Sequence, residues 1–356
     1  MADIIISNDD LQDPMIDDIL NLQKSVQSRI GERLENIKTP LYYNPVFYYS
    51  VAATLGAFVV WAISEPFFRD DEKHIPFIGD YLLFGPVAGV MGLAIGLVYG
   101  ASNRNLKQLL YCGIVGAGVG LGVTVLTTFI AEMLYGLFTG MAVAFAHSRG
   151  QIEPDKFTHF RGLAFFIHMS GRSIAWSIVS MGAGLGLGIA LKSKKLLLNG
   201  FVGGMVGGFL GGLFFDPIDR FLPHAQGSGW LSRMVGIALV GLFVGFFIGL
   251  FENLSKEAWF LMLKGPLTGK QFIIFKSPIL IGSSPKSDIY LFKDADIAPL
   301  HASVSKTGSK YLLKDEGSAI GTYVNGRRID KYILQPNDTV TVSGAVLRYS
   351  EKQRKA

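Results

Sequence analysis

The chain has 356 residues, 49% hydrophobic and only 17% charged, below the roughly 25% of an ordinary soluble domain. Its net charge of +5 lacks the clustering that a nucleic-acid surface requires, and its one cysteine, Cys112, excludes an intrachain disulfide framework. The 43 glycines have no collagen-like period and sit inside apolar runs, a habit of membrane helices rather than of flexible linkers.

Residues 1–13 are acidic and rich in turn formers. From Pro14 to Lys38, Ile16, Ile19, Leu20, Val26, Ile30, Leu34 and Ile37 recur at helical spacing, with Lys24, Arg29 and Arg33 between them. That spacing predicts an amphipathic helix. It packs on the cytosolic face of its own protein, lies on the membrane surface or self-associates, and the spacing leaves the three open. No secretory signal peptide is expected, because the first long apolar run begins near Val46, after a largely polar segment.

Six runs approach the ~20 apolar residues needed to cross a bilayer. They lie at 46–63, 81–100, 109–131, 173–191, 196–215 and 231–251. Lys24, Arg29, Arg33 and Lys38 precede the first; Arg104 and Lys107 follow the second; Lys192, Lys194 and Lys195 follow the fourth; Lys256, Lys264 and Lys270 follow the last. The first loop is acidic instead, with Glu65, Asp70, Asp71, Glu72 and Asp80. Basic residues thus mark the even-numbered loops and both ends, which places both termini in the cytoplasm of a plasma (inner) membrane protein. The third loop is ambiguous. Met133 to Ala146 and Phe157 to Met169 are apolar but short, so they are interfacial or re-entrant pieces, further spans, or parts of a third helix bent at Glu132.

Glycines recur every fourth residue at Gly92, Gly96 and Gly100, at Gly200, Gly204, Gly208 and Gly212, and at Gly241, Gly245 and Gly249. Each set lies on one helix face and forms a groove for a neighbouring helix. This packing points to a tight, oligomeric bundle. There is an internal echo as well: Asn105-Leu-Lys-Gln-Leu-Leu before Gly113-Ile-Val-Gly resembles Lys194-Lys-Leu-Leu-Leu before Gly200-Phe-Val-Gly. Both copies have the same expected orientation, as in a parallel repeat.

Chemistry is sparse. Glu132, Asp216 and Arg233 lie at or near the expected helix ends, and Glu132 is the candidate membrane-embedded carboxylate. His74, His147, His159, His168 and His224 fall in segments expected outside, at spacings that match no metal-ligand motif. No nucleotide, protease, hydrolase or kinase motif is present, so neither enzyme, cofactor nor metal is expected.

From Gln271 onward the pattern changes to short strand-like runs, punctuated by Ser284-Pro285, Gly308-Ser309, Asn325-Gly326 and Pro336-Asn337-Asp338. Many short strands at this spacing predict an antiparallel sandwich, and Asn325-Gly326 a two-residue hairpin. Gly282-Ser283-Ser284-Pro285-Lys286, His301-Ala-Ser-Val and Gly321-Thr322-Tyr-Val-Asn325-Gly326 resemble the forkhead-associated (FHA) family, whose sandwich reads phosphothreonine from loops at one end. The resemblance covers 264–350 and makes Gly282, His301, Gly321 and Gly326 scaffold positions. It places Ser283, Ser284, Lys286, Pro299, Thr322, Asn325 and Arg327 in the partner-binding loops. Yet Ser283 stands where the family usually has arginine, Ala298 where it has serine, and Ile320 where it has asparagine. Phosphate needs charge-assisted donors, and these three residues offer one neutral hydroxyl, so the usual phosphothreonine grip is expected to be absent.

The expected protein has a cytosolic segment at 1–45, a six-helix Gly-rich transmembrane bundle at 46–252, a linker at 253–265, an all-β FHA-like sandwich at 266–350 and a tail at 351–356. Its partners are the bilayer, a protein met by the cytosolic domain and further copies of itself, without nucleic acid. It acts as an interaction or assembly protein; the alternative is a channel or transporter regulated by the sandwich.

Overall fold

The computed structural model describes residues 38–67, 76–150, 160–221 and 230–352. The expected amphipathic helix, except Lys38, lies outside them, as do His74, His159 and His224. Among the described residues six helices are long and apolar enough to cross a membrane. They are α1 (Pro45–Ser64), α2 (Pro76–Ser102), α3 (Leu106–Ser148), α4 (Leu163–Ala190), α5 (Lys194–Phe221) and α6 (Trp230–Ser255). Each packs along the next, α1 and α6 close the ring, and α2 also touches α4.

Absent side chains let these helices approach. A Cβ on Gly92 would overlap the carbonyl of Gly116, and one on Gly116 would overlap that of Gly92. Gly184 and Gly200 stand in the same reciprocal relation between α4 and α5. Gly204, Gly208 and Gly212 meet α4, and Gly241, Gly245 and Gly249 meet the backbone of α1. The faces expected from the spacing of four are therefore in contact. The internal echo has a structural counterpart too. Arg104 and Lys192 both take positive φ, at 49° and 51°, and Asn105 and Ser193 donate backbone N–H groups to Gly100 and Gly188 at 3.0 Å. Asn105 then caps α3, accepting from the Gln108 N–H at 3.1 Å.

Two expectations about the third loop are corrected. Glu132 does not end the third helix; α3 runs unbroken for 43 residues. At 1.5 Å per residue this is about 64 Å, about twice a ~30 Å hydrocarbon core. Of the run at 157–169, residues 163–169 belong to α4, and 157–159 lie outside the described residues. Beyond the bundle, Ala142 and Ala146 of α3 pack on Phe160 and Ala164.

The expected linker at 253–265 is also corrected. Only Lys256 and Glu257 separate α6 from β1 (Ala258–Lys264), so the sandwich begins at Ala258. The other strands are β2 (Gln271–Ile273), β3 (Ile279–Gly282), β4 (Ile289–Tyr290), β5 (Ala302–Thr307), β6 (Lys310–Asp315), β7 (Thr322–Val324), β8 (Arg327–Ile329), β9 (Lys331–Ile333), β10 (Thr339–Val342) and β11 (Ala345–Glu351). One sheet has the order β2-β1-β11-β10-β7-β8, the other β4-β3-β5-β6-β9. Phe260, Met262, Ile281, Leu313, Leu347 and Tyr349 are fully buried between them, each contributing about 1.5–3 kcal/mol of transfer free energy. Asn325 and Gly326 both take positive φ, as the tight turn between β7 and β8 requires.

The β2 and β4 edges of the sandwich line a cavity shared with one end of the helix bundle. The opposite edges, β8 and β9, carry the exposed Arg327, Arg328 and Lys331.

Candidate functional site

Three loops meet at one end of the sandwich: 283–288, 291–301 and 316–321. Gly282 lets the second loop cross the first, since a Cβ there would overlap the Pro299 carbonyl. The N–H groups of Ser283 and Ser284 donate to the carbonyls of Ala298 and Pro299 at 3.0 and 3.1 Å. The Ser283 hydroxyl donates to the Ile297 carbonyl at 2.6 Å, so it is committed inside the domain.

His301 is fully buried and joins the loops. Its Nδ1 accepts from the Ala298 N–H at 3.2 Å, which leaves the proton on Nε2, 3.3 Å from the Gly321 carbonyl. Its own carbonyl accepts from the Glu316 N–H at 2.9 Å. Asp315 anchors the third loop, accepting from the Ser318 hydroxyl and the Thr322 hydroxyl at 2.6 Å each and from the N–H groups of Gly317 and Ser318. Burial works against its charge, but the hydroxyls of Ser318 and Thr322 hold its carboxyl below the usual range.

Among the expected site residues, Gly282, Ser283, Ser284, Pro299, His301 and Gly321 are thus brought together. Two belong elsewhere. Thr322 is fully buried with its hydroxyl spent on Asp315, and the Asn325 side chain is held by Asp338 at 2.7 Å and the Thr339 N–H at 2.9 Å. Arg327 is exposed beyond that turn. Lys286 is exposed too, beside Pro285, whose carbonyl accepts a 2.8 Å hydrogen bond from the Asn105 amide of the bundle. Pro299, Leu300 and Ala319 are exposed at the loop tips, with Ile320 half-buried, Lys293 and Asp296 exposed in the same second loop, and the Arg328 guanidinium lying across Gly321.

The junction with the bundle holds charges that sequence reasoning missed. Lys270 is buried; its amine donates to Ser102 Oγ at 2.9 Å and to Asn103 Oδ1, over the rings of Tyr43 and Phe272. Burial pushes that amine down to about 7, against the opposing pull of Glu252. Glu257 accepts from Lys306 of the sandwich at 2.7 Å and from Lys195 of α5 at 3.1 Å. The Lys306 and Lys195 hydrogen bonds hold its carboxyl down at about 2. Ser193, the counterpart of Asn105, donates to the Phe275 carbonyl at 3.2 Å.

A second polar cluster lies at the other end of the bundle. Arg172 of α4 pairs with Asp216 of α5 at 2.9 Å and donates to the Tyr135 hydroxyl at 3.0 Å. His168, expected in an external segment, is on α4 within 3.3 Å of Tyr135, Thr139 and Arg172. Glu132 lines a small cavity with Tyr135, Arg172 and Trp176, and Arg233 grips Glu65 at 2.6 and 3.1 Å. Among the described residues no group of histidines, cysteines and carboxylates could hold a metal.

The geometry of strands and loops agrees with the comparisons. Residues 279–343 match the FHA domain family model, and the C-terminal sandwich is an FHA domain. The glycogen accumulation regulator GarA of Mycolicibacterium smegmatis is 32% identical over 88 residues, 25% of this chain and 55% of that protein. The oxoglutarate dehydrogenase inhibitor of Corynebacterium jeikeium is 32% identical over 92 residues, 26% of this chain and 63% of that protein. The alignments therefore span less than two thirds of these relatives. The crystal structure of the FHA domain of CT664 from Chlamydia trachomatis aligns at 25% identity and a TM-score of 0.26, covering 28% of this chain and all of that one.

Proposed function

We propose that this is an integral membrane protein whose bundle holds an FHA domain at the cytosolic face, where the loops at 291–301 and 316–321 engage an unphosphorylated protein partner. FHA domains mediate protein–protein interaction or assembly. The observation that carries the rest is the committed Ser283 hydroxyl, with Ala298 and Ile320 beside it. A phosphate would find no charged donor among them, and an apolar surface of Pro299, Leu300, Ala319 and Ile320 stands in its place. The two relatives are named for regulating glycogen accumulation and inhibiting a dehydrogenase, which fits control exerted through a bound partner. Inner-membrane placement with both termini cytoplasmic rests on the six apolar helices and the basic loops, and self-association on the glycine-rich faces. A photocrosslinker at Ala319 tests the reading in cells. The expected result is a protein adduct that survives phosphatase treatment; adducts that vanish with phosphatase would contradict it.

A second reading has its own observation. Glu132, His168, Arg172 and Asp216 place ionisable groups inside the outer half of the bundle, the usual mark of a conducting or transporting pathway. Ion flux into vesicles carrying the purified chain, lost in Glu132→Gln, would favour it.

A further inference from the structure

The cavity beneath the FHA domain, about 380 Å³, is bounded by the N-terminal end of α1, the C-terminal ends of α2 and α6, and strands β2 and β4. That volume is within the range of small-molecule sites. Most polar side chains in its wall are already engaged. Lys276 pairs with Asp288 at 2.8 Å, the Gln271 amide donates to Thr39 at 2.8 Å, and the Asn253 amide donates to Asn44 at 3.3 Å. Lys270 gives two of its three N–H groups to Ser102 and Asn103.

Glu252 is the exception. It is 2% exposed, yet its Oε2 has no hydrogen-bond partner. The Tyr49 hydroxyl and the Lys270 ammonium act on this carboxyl from the protein side; a carboxylate oxygen short of donors is disfavoured, so Oε2 favours a further donor from the cavity. Four residues further on, Lys256 lines the same cavity. Its amine donates to Gln271 Oε1 at 3.1 Å and lies 4.6 Å from the Trp259 ring centre, which leaves further N–H donors for an acceptor. Tyr43, Tyr48 and Tyr99 complete the wall, and aromatic faces favour a cation.

We propose that this cavity binds a small zwitterion with a primary ammonium, held by Glu252, and an anionic group, held by Lys256. Both an aminophospholipid headgroup and a soluble amine carry this chemistry. A ligand here would touch helix ends and FHA strands together and so stabilise their docking.

The test uses the full chain in phosphatidylcholine nanodiscs, followed by its unfolding temperature. One arm adds phosphatidylethanolamine to the bilayer, a second adds soluble O-phosphoethanolamine, and a third adds phosphocholine, which has no N–H donor. The expected result is a saturable upward shift in the first or second arm, none in the third, and loss of the shift in Glu252→Gln. A shift with lipid alone assigns the headgroup; a shift with the soluble probe assigns a solute. No shift in either arm, an equal shift with phosphocholine, or an undiminished shift in Glu252→Gln would overturn the proposal. Should Glu252→Gln fail to fold, Lys256→Gln decides, since it should at least halve the response and an unchanged response would refute it.

Discussion

Asn105 joins the two halves of the molecule: its side-chain oxygen caps α3 through the Gln108 N–H, while its amide reaches the Pro285 carbonyl at 2.8 Å. One residue thus ends a helical hairpin and holds a recognition loop of the FHA domain. Ser193 repeats the arrangement in the second hairpin, with Phe275 as its target. The duplicated turns of the bundle are the seats on which the domain rests.

The double role of Asn105 can be separated. Asn105→Asp keeps an acceptor for the cap but has no amide donor for Pro285. It should raise hydrogen exchange in the loop at 283–288 and leave the thermal stability of the bundle nearly unchanged. Asn105→Ala should also lose the cap, costing about 1 kcal/mol more. Equal exchange in wild type and Asn105→Asp would mean that the contact does not hold the loop.

Glycine substitutions should divide sharply by position. Gly184→Ala pushes a methyl group into the Gly200 carbonyl and should separate α4 from α5, lowering the unfolding temperature by many degrees. Gly118→Ala and Gly122→Ala, where a Cβ meets nothing within 4 Å, should be neutral or stabilise by up to about 1 kcal/mol. Thermal unfolding in detergent measures all three.

Acid should loosen the junction through Glu257. Its folded-state pKa, about 2, lies below the ordinary value of 4.5, because Lys306 and Lys195 donate to it. The stabilisation is therefore fully present above 4.5 and lost as pH falls toward 2. The side chain is half exposed, so solvent screening limits the effect to about 1 kcal/mol or less. Interdomain distance between spin labels should broaden over that window in wild type, and Glu257→Gln should be broadened already at pH 6.

Asp315 should matter for stability and only indirectly for binding. Asp315→Ala strands the Thr322 and Ser318 hydroxyls and two N–H groups, at a cost of about 2–3 kcal/mol. Chemical denaturation of the full chain reads the loss. Thr322→Val, which removes one of these donors, should cost less.

Patterns within a single element were legible from residues alone: the fourfold glycine spacing marked helix faces that glycine-to-backbone contacts occupy, and Asn325-Gly326 marked a turn. The place of His301 at the loops came from the family resemblance. What depends on distant partners was not. Arg172 was passed over because its carboxylate, Asp216, lies on another helix. Trp259 to Leu263 of β1 follow an apolar helix without turn residues, so they read as connection rather than strand. Glu132 read as a break because charge interrupts an apolar run, but a glutamate is a good helix former and the backbone hydrogen bonds pass it undisturbed. Lys270 looked like one more basic residue near a membrane until the Ser102 and Asn103 acceptors came into view.

The most direct test of the account is the affinity of the nanodisc-embedded chain for matched threonine peptides, phosphorylated and not, drawn from one library. The committed Ser283 hydroxyl, Ala298 and Ile320 predict no preference for the phosphorylated member of any pair. A preference of tenfold or more, abolished by Arg328→Ala, would show that the guanidinium across Gly321 has taken over the phosphate, and would contradict the reading of these loops.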